Sequence, residues 1–197
     1  MNLERVMERI YDSKDFTAGG GAASAVSAAM AASLVAMVSR LSTGRELGLA
    51  DEDYCSIADE LDGVSLRLRD GAVRDLEAFL GIKAAYALPK GTDGEKAARR
   101  EAVGKAAYAA ADVPRQNARL ALQVAAAVGK LEGKSNPNAA SDLEVGRDFA
   151  FAAIRGCLAN IRANLGLIKD PERIAGLEEF VREMEGKMAE EKGMKQA

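Results

Sequence analysis

Residues 16–39 read FTAGGGAASAVSAAMAASLVAMVS, and this stretch carries no charged side chain. Its small residues recur at helical spacing, at Gly21, Ala25, Ala29, Ala32 and Ala36. A face of small residues lets neighbouring helices approach closely. The stretch is long enough to cross a bilayer, but it is poor in the large apolar residues that membrane spans favour. We therefore predict that it forms the buried central helix of a soluble bundle, ending near Leu41.

Helical patterning continues on both sides of this stretch. The expected helices run from about Leu3 to Ser13, from Asp51 to Tyr86 and from Thr92 to Ala111, and two more begin at Asn136-Pro137 and Asp170-Pro171. Pro114 predicts a break or a kink before the segment that ends at Leu131. No sustained alternation of apolar and polar residues indicates strands. The sequence therefore predicts an all-α protein, a single-domain bundle of long antiparallel helices over residues 1–197.

The composition restricts the chemistry that this chain can perform. Its 197 residues include 27 Lys and Arg against 30 Asp and Glu, two cysteines and no histidine. The lack of histidine excludes Ser-His-Asp triads and histidine metal sites, and two cysteines are too few for a thiolate zinc site. Acid–base chemistry must then use carboxylates, Lys, Tyr or Cys. The net charge of −3 argues against nucleic acid as a partner, and the charged N-terminus predicts a cytoplasmic protein.

One aspartate interrupts an apolar stripe. Positions 57, 61, 64, 68, 72, 75, 79 and 82 share one side of the long helix, and all of them are apolar except Asp75. Because a buried, unpaired carboxylate is costly, we expect Asp75 to be partnered or shifted towards the neutral acid. Two interpretations follow: a structural ion pair, or a functional site at a cleft. Phe79 and Lys83 partly share the face of Asp75.

Two further segments combine small and polar residues. Residues 19–21 are three glycines at a helix start, where free N–H groups favour an anion, although a glycine run is also an ordinary turn. Residues 136–142, Asn-Pro-Asn-Ala-Ala-Ser-Asp, form a helix start rich in capping groups. Asn160 and Asn164 form an i,i+4 pair of amides on the same helix. On a straight helix Asp142 and Asn164 lie about 33 Å apart, so one subunit cannot bring them into one site.

A series of blocks in the same order resembles one family, the cyclodeaminase domain of formimidoyltransferase-cyclodeaminase together with the stand-alone bacterial methenyltetrahydrofolate cyclohydrolases. Residues 16–23 resemble its Thr-Pro-Gly-Gly-Gly-Ser segment, and residues 37–42 its Met-Val-x-x-Leu-Thr. Residues 75–79 resemble Asp-x-x-Ala-Phe, residues 136–142 resemble Asn-x-Asn-Ala-x-Ser-Asp, and residues 160–165 resemble Asn-Val-x-x-Asn-Leu. The segments 88–90, 95–99 and 113–114 also have counterparts. Ala18, Ala22 and Ser135 depart from the proline, serine and glycine usual in the family.

This resemblance implies an enzyme that acts on a cyclic amidine of tetrahydrofolate, as a hydrolase or an ammonia-lyase. The first expectation is a methenyltetrahydrofolate cyclohydrolase, which interconverts the 5,10-methenyl and 10-formyl forms, and the lack of a transferase domain in the sequence favours it. The alternative is a formimidoyltetrahydrofolate cyclodeaminase, which releases ammonia. The loop departures also allow a non-catalytic helical scaffold or folate-binding protein. The resemblance implies a homodimer with a folate substrate, without a metal or a further cofactor and without a membrane partner.

The resemblance also gives candidate site residues. Asp75 and Asp142 are the catalytic candidates, one as the acid–base group and the other as a carboxylate that binds the pterin. The substrate-binding candidates are Gly19, Gly20, Gly21, Arg40, Lys90, Arg100, Asn136, Asn138, Asn160 and Asn164. Among these, Lys90, Arg40 or Arg100 would hold the glutamate tail, and the glycines would line the pocket.

Overall fold

The computed structural model describes residues 2–193, with side chains through Glu191. Its elements are α1 (Leu3–Tyr11), α2 (Gly20–Arg40), α3 (Asp51–Tyr86), α4 (Asp93–Leu131), a 3-10 turn (Pro137–Ala139), α5 (Ala140–Leu165) and α6 (Pro171–Gly193). These residues contain no strand, which confirms the predicted all-α bundle of long helices. Met1 and residues 194–197, which the predicted domain includes, lie outside the described residues.

The uncharged stretch forms the central helix, α2. It packs chiefly against α3 on one side and α5 on the other, and it also contacts α4. Most of its buried residues are alanines. The helices approach so closely that an ideal Cβ built at Gly156 of α5 would lie 2.0 Å from the Ser24 Oγ. The structure therefore confirms the prediction that small residues bring neighbouring helices together here.

Among the residues that the structure describes, α2 is the one helix that is long and apolar enough to cross a membrane. In this fold 61% of its apolar window is buried inside the protein. The remaining face is exposed along part of its length and carries Met30 and Met37, which are 45% and 39% exposed. The helix thus has a small-residue face towards the bundle and an apolar outer stripe.

The two longest helices, α3 and α4, have clear start signals. Asp51, Glu52 and Asp53 lie in the first turn of α3, where negative charge interacts favourably with the helix dipole. α4 begins with the predicted capping box, in which Thr92 Oγ1 accepts from the Glu95 N–H and the Glu95 carboxylate accepts from the Thr92 N–H. Pro114 is not a break, because α4 continues through it to Leu131. Packing against α3 and α5 holds the helix together where proline removes one backbone donor.

The remaining helices cover this core. Val6 of α1 joins a small apolar cluster with Ala22, Ala25, Ala72 and Leu76 of α2 and α3. α6 packs on α4 and α5 through the predicted stripe, Leu177, Val181, Met184 and Met188, all of which are buried. α5 runs antiparallel to α2, so the start of α2 lies near the end of α5, and the end of α2 lies near the start of α5.

Candidate functional site

The start of α2 lies against Asp75, in the C-terminal half of α3. Ideal Cβ geometry places a side chain at Gly21 only 2.3 Å from Asp75 Oδ1 and 2.5 Å from Oδ2, so glycine alone leaves room for the carboxylate. The Ala22 N–H donates a hydrogen bond to Asp75. Asp75, the one carboxylate in the apolar stripe of α3, therefore lies at the N-terminus of α2. No ion pair of Asp75 occurs within the described chain, so the interpretation as a structural ion pair finds no support.

Burial dominates the electrostatics of Asp75. Desolvation raises its pKa from an ordinary 3.8 to about 6, and the hydrogen bond from the Ala22 N–H opposes this rise. The Cys157 thiol of α5 is fully buried close to Asp75, and its pKa rises to about 12 through burial and through the negative charge of that carboxylate. A carboxylate with a pKa near 6 can exchange a proton with a substrate close to neutral pH. The thiol remains protonated and does not compete as a nucleophile.

The glycine run and α5 complete the wall around Asp75. Gly19 is the N-cap of α2 and supplies no side-chain acceptor of its own, so the Asp75 carboxylate takes that place for the Ala22 N–H. An ideal Cβ at Gly20 would lie 3.3 Å from Asn160 Nδ2 of α5. Asn164, one turn further, donates through Nδ2 to the Asn160 carbonyl. Backbone donors, a carboxylate and an amide therefore meet at one end of α2, and we call Gly19–Gly21, Asp75 and Asn160 the Asp75 site.

The loop before α2 extends this site along α3. Two hydrogen bonds from Thr17 lower the pKa of Asp15, and the charges of Arg9 and Lys83 lower it further. The Arg9 guanidinium also donates to Thr17 Oγ1 at 2.8 Å. Because Asp15 lies near Lys83 whereas Gly21 meets Asp75, the loop follows α3 for about two turns, or about 12 Å.

This path places the Phe79 turn of α3 beside the loop. Phe79 is 38% exposed although it belongs to the stripe predicted to be buried, and Phe16 of the loop is 86% exposed. Phe79 and Lys83 were not among the predicted site residues, although their positions four and eight residues after Asp75 were visible in the sequence. No local pattern in the sequence indicated that this part of the stripe is exposed, because its surroundings are set by the fold.

The structure does not bring Arg40, Asn136, Asn138 and Asp142 to Asp75. Arg40 ends α2 and forms ion pairs with Asp59 at 2.7 Å and Asp62 at 2.8 Å, so it is not placed to hold a substrate bound at Asp75. Asp142 lies in the first turn of α5, about 27 Å from Asn160 along that helix. The sequence-based expectation that these segments cannot share one site within a subunit therefore agrees with the geometry.

Asn136 has a structural role at this far end. Its side chain donates to the Leu41 carbonyl at 3.1 Å and accepts from the Asn138 N–H, and its own N–H donates to Ser42 Oγ. It therefore joins the turn before α5 to the end of α2. Lys90 and Arg100 are exposed on the connection from α3 to α4 and on α4, respectively, nearer the C-terminal end of α3. Their role in holding a glutamate tail stays a prediction.

Sequence comparison places the chain among known proteins. The profile of the family described as Formiminotransferase-cyclodeaminase matches residues 3–183. A methenyltetrahydrofolate cyclohydrolase of Methylorubrum extorquens is 36% identical over 175 residues, which cover 88% of this chain and 83% of that protein. The formimidoyltransferase-cyclodeaminase of Rattus norvegicus is 27% identical over 162 residues, covering 82% of this chain but 30% of the rat protein.

Structural comparison agrees with these sequence matches. The crystal structure of a formiminotetrahydrofolate cyclodeaminase from Thermotoga maritima superposes with a TM-score of 0.82 at 27% sequence identity. The match covers 97% of this chain and 91% of that chain. The similarity therefore extends through the whole helical bundle, including the helices that form the Asp75 site.

Proposed function

The chain belongs to the formiminotransferase-cyclodeaminase family, and from that premise we propose that it is a methenyltetrahydrofolate cyclohydrolase whose acid–base group is Asp75. The observation that carries the choice of residue is the contact of Asp75 with the glycine start of α2. There the carboxylate has a pKa of about 6 and stands beside backbone N–H donors. A group that exchanges a proton near neutral pH and donors that stabilise developing negative charge both assist the hydration of a cationic amidine carbon.

The reaction balances with one carboxylate. The oxygen of a water molecule forms a bond to the methenyl carbon between N5 and N10, and the Asp75 carboxylate accepts one proton from that water. The neutral carbinol then collapses: the bond from carbon to N5 breaks, N5 takes the proton from Asp75, and the hydroxyl proton leaves to solvent. The products are 10-formyltetrahydrofolate and one proton. The positive end of α2 favours negative charge on the reacting oxygen while the hydroxyl loses its proton.

The neighbouring residues suggest how the substrate lies. Phe79, one turn from Asp75, offers an exposed ring on which the p-aminobenzoyl group can stack. Lys83 lies one turn further, about 12 Å from Asp75 along α3, so its ammonium can pair with a glutamate carboxylate beyond that ring. Gly19, Gly20 and Gly21 line the inner end of the site, with Asn160 and Asn164 as the amides nearest to the pterin.

The test follows methenyltetrahydrofolate absorbance during hydrolysis by the wild type and by Asp75→Asn. We expect the variant to lose about 10²- to 10⁴-fold in kcat, because this is the usual contribution of a positioned acid–base group. Added 5-formyltetrahydrofolate should raise the thermal midpoint of both proteins, because a ligand that binds the folded state stabilises it. Unchanged turnover in the variant contradicts the role of Asp75, and the absence of any midpoint shift contradicts folate binding.

The cyclodeaminase reaction is the second candidate, favoured by the similarity to the Thermotoga maritima structure. The same site could close a formimidoyl group onto the second folate nitrogen, with Asp75 giving a proton to the departing ammonia. Ammonia release from 5-formimidoyltetrahydrofolate distinguishes the two reactions. The cyclohydrolase assignment requires that hydration of the methenyl substrate be faster than ammonia release.

We also propose that the protein is a cytoplasmic homodimer that needs no resident metal or further cofactor. The exposed apolar stripe of α2 supports the homodimer, because Met30, Met37 and Leu41 would otherwise remain in water. The burial of the other faces of α2 supports a role inside a soluble bundle. Sedimentation of the purified protein and metal analysis of active enzyme test these proposals.

A further inference from the structure

Asn117 of α4 is a buried amide without a protein partner. The residue is 0% exposed, in the core where α4 packs on α3 and α5. No group in residues 2–193 forms a hydrogen bond with either its Oδ1 or its Nδ2. Buried amides in folded proteins are nearly always hydrogen-bonded, because an unpaired one has lost its contacts with solvent and gained none in return. Water is the ordinary partner of such a group, since most buried waters bind polar atoms that no protein group satisfies.

The Asn117 amide fills the place of a missing side chain on α3. An ideal Cβ built at Gly71 would lie 2.1 Å from Asn117 Oδ1, 2.9 Å from its Cγ and 3.1 Å from its Nδ2. Gly71 precedes Asp75 by four residues, so the two positions lie one above the other on the same face of α3. Because the Cα–Cβ bonds of a helix tilt towards its N-terminus, the side chain of Asp75 leaves α3 towards this turn. The amide therefore stands where a side chain one turn before Asp75 would meet the carboxylate.

The separation between the amide and the carboxylate matches the reach of one water molecule. Cβ atoms four residues apart on a helix lie about 5–6 Å from each other, and the Asn117 amide occupies the first of these positions. Two hydrogen bonds through one water join polar atoms about 5.5 Å apart. We propose that a buried water links Asn117 Nδ2 to the Asp75 carboxylate, and that Asn117 is thereby a positioning residue for the acid–base group. The water accepts a hydrogen bond from Nδ2 and donates one to the carboxylate.

The titratable and charged groups on the surrounding elements leave this task to the amide. α2 carries no charged residue before Arg40 at its far end, and the titratable neighbour on α5 is the Cys157 thiol, whose raised pKa keeps it neutral. The other charged residues near this turn are paired with one another, namely Asp70 with Arg74 on α3, Asp112 with Arg115 on α4, and Arg9 of α1 with Asp15 of the following loop. A donor that reaches the carboxylate through water favours its ionised form, so it opposes the rise in the pKa of Asp75 that burial causes.

The first test rests on the proposed folate reaction and compares the pH dependence of kcat in the wild type and in Asn117→Leu. Leucine has nearly the shape of asparagine but cannot hold the water. We expect the pH of half-maximal kcat to rise by about one pH unit, so that kcat falls up to about tenfold at pH 5.5 and little at pH 8. A role in packing alone would lower kcat by the same factor at every pH. That result, or a profile identical to that of the wild type, overturns the inference.

Gln116 provides a matched control on the same helix. Its amide contacts Arg74 and Asp112 instead of the core, at 2.9 Å and 2.5 Å. Gln116→Leu removes an amide one residue away from Asn117 and should leave the pH of half-maximal kcat unchanged. An equal change in Gln116→Leu and Asn117→Leu also overturns the inference, because it would show that the effect is not specific to the buried amide.

A second measurement does not depend on activity. Carbon-13 NMR titration gives the pKa of the Asp75 carboxyl, whose signal is assigned by its loss in Asp75→Asn. Asn117→Val and Asn117→Thr have the same shape, are smaller than asparagine beside Gly71, and differ in one hydroxyl donor. We expect the pKa of Asp75 to be higher in Asn117→Val than in Asn117→Thr, and lowest in the wild type. Equal values in the three proteins overturn the link between the two residues. A wild type that does not hydrolyse methenyltetrahydrofolate contradicts the proposed function instead, and the titration still decides the link.

Discussion

Replacing Asp75 with asparagine should make the folded protein more stable while it removes activity. The carboxylate of Asp75 is partly buried, and its pKa of about 6 exceeds the ordinary value of 3.8 because burial disfavours its charged form. The difference between these two values corresponds to about 3 kcal/mol of free energy of unfolding. Asparagine has nearly the same shape, can still accept the Ala22 N–H and never carries the charge.

The sign of this effect depends on pH. Well below pH 3.8 the carboxyl is neutral in both the folded and unfolded states, so wild type and variant should have similar stability. Between pH 3.8 and about 6 the folded state holds a proton that the unfolded state releases, so the wild type loses stability as the pH rises. Above pH 7 the variant should exceed the wild type by up to about 3 kcal/mol, or about 6–12 °C in Tm.

Urea unfolding followed by circular dichroism between pH 4.5 and 8 measures this difference. The exposed Asp148 of α5 provides a matched control, because Asp148→Asn should show no comparable gain at high pH. A stability difference between Asp75→Asn and the wild type that does not change with pH would refute the argument from burial. A variant that is less stable than the wild type at pH 8 would do the same.

Three further outcomes follow from the same site. The kcat of the wild type should fall about tenfold per pH unit below about pH 6, because the base must be ionised; a flat profile down to pH 5 would exclude Asp75 as that base. Gly21→Ala should lower kcat about 100-fold, because the new methyl group displaces the Asp75 carboxylate. Gly63→Ala is the control: this position is exposed, and the new Cβ would have no neighbour within 4 Å. That variant should keep its activity and gain about 0.5–1 kcal/mol in free energy of unfolding. Lys83→Gln should raise KM about three- to tenfold with little change in kcat, and it should have no effect on a substrate that lacks the glutamate. Equal KM values for Lys83→Gln and the wild type would contradict a role for Lys83 in binding.

The sequence predicted the helices well where a local signal marks their ends. Acidic residues after Ala50 and the proline after Leu88 bracket α3, and the capping box at Thr92 marks the start of α4. The continuation of α4 through Pro114 could not be predicted from local rules alone. A proline disfavours a helix interior, and only the burial of this segment against two neighbouring helices shows that the helix continues.

The candidate site was predicted in part. Asp75 could be identified because it is a charged residue at one position of an otherwise apolar stripe. The glycines could be identified because three in a row stand at the start of a helix. Which of the other polar residues join Asp75 depends on the antiparallel course of α2 and α5, which no local pattern encodes. The role proposed for Lys83 was not predicted from the sequence, because its nearness to Asp15 of the loop before α2 is set by the fold.

The contact between Gly21 and Asp75 has a consequence for how this chemistry can change through mutation. Because the main chain of α2 lies against the carboxylate at Gly21 and Ala22, the pKa of Asp75 depends on the position of α2 along α3. A substitution anywhere along α2 that slides the helix by a fraction of a turn would alter the solvation of Asp75 and hence its pKa. Variation at distant alanines of α2 can therefore tune the acid–base group, while the residues in contact with it stay the same.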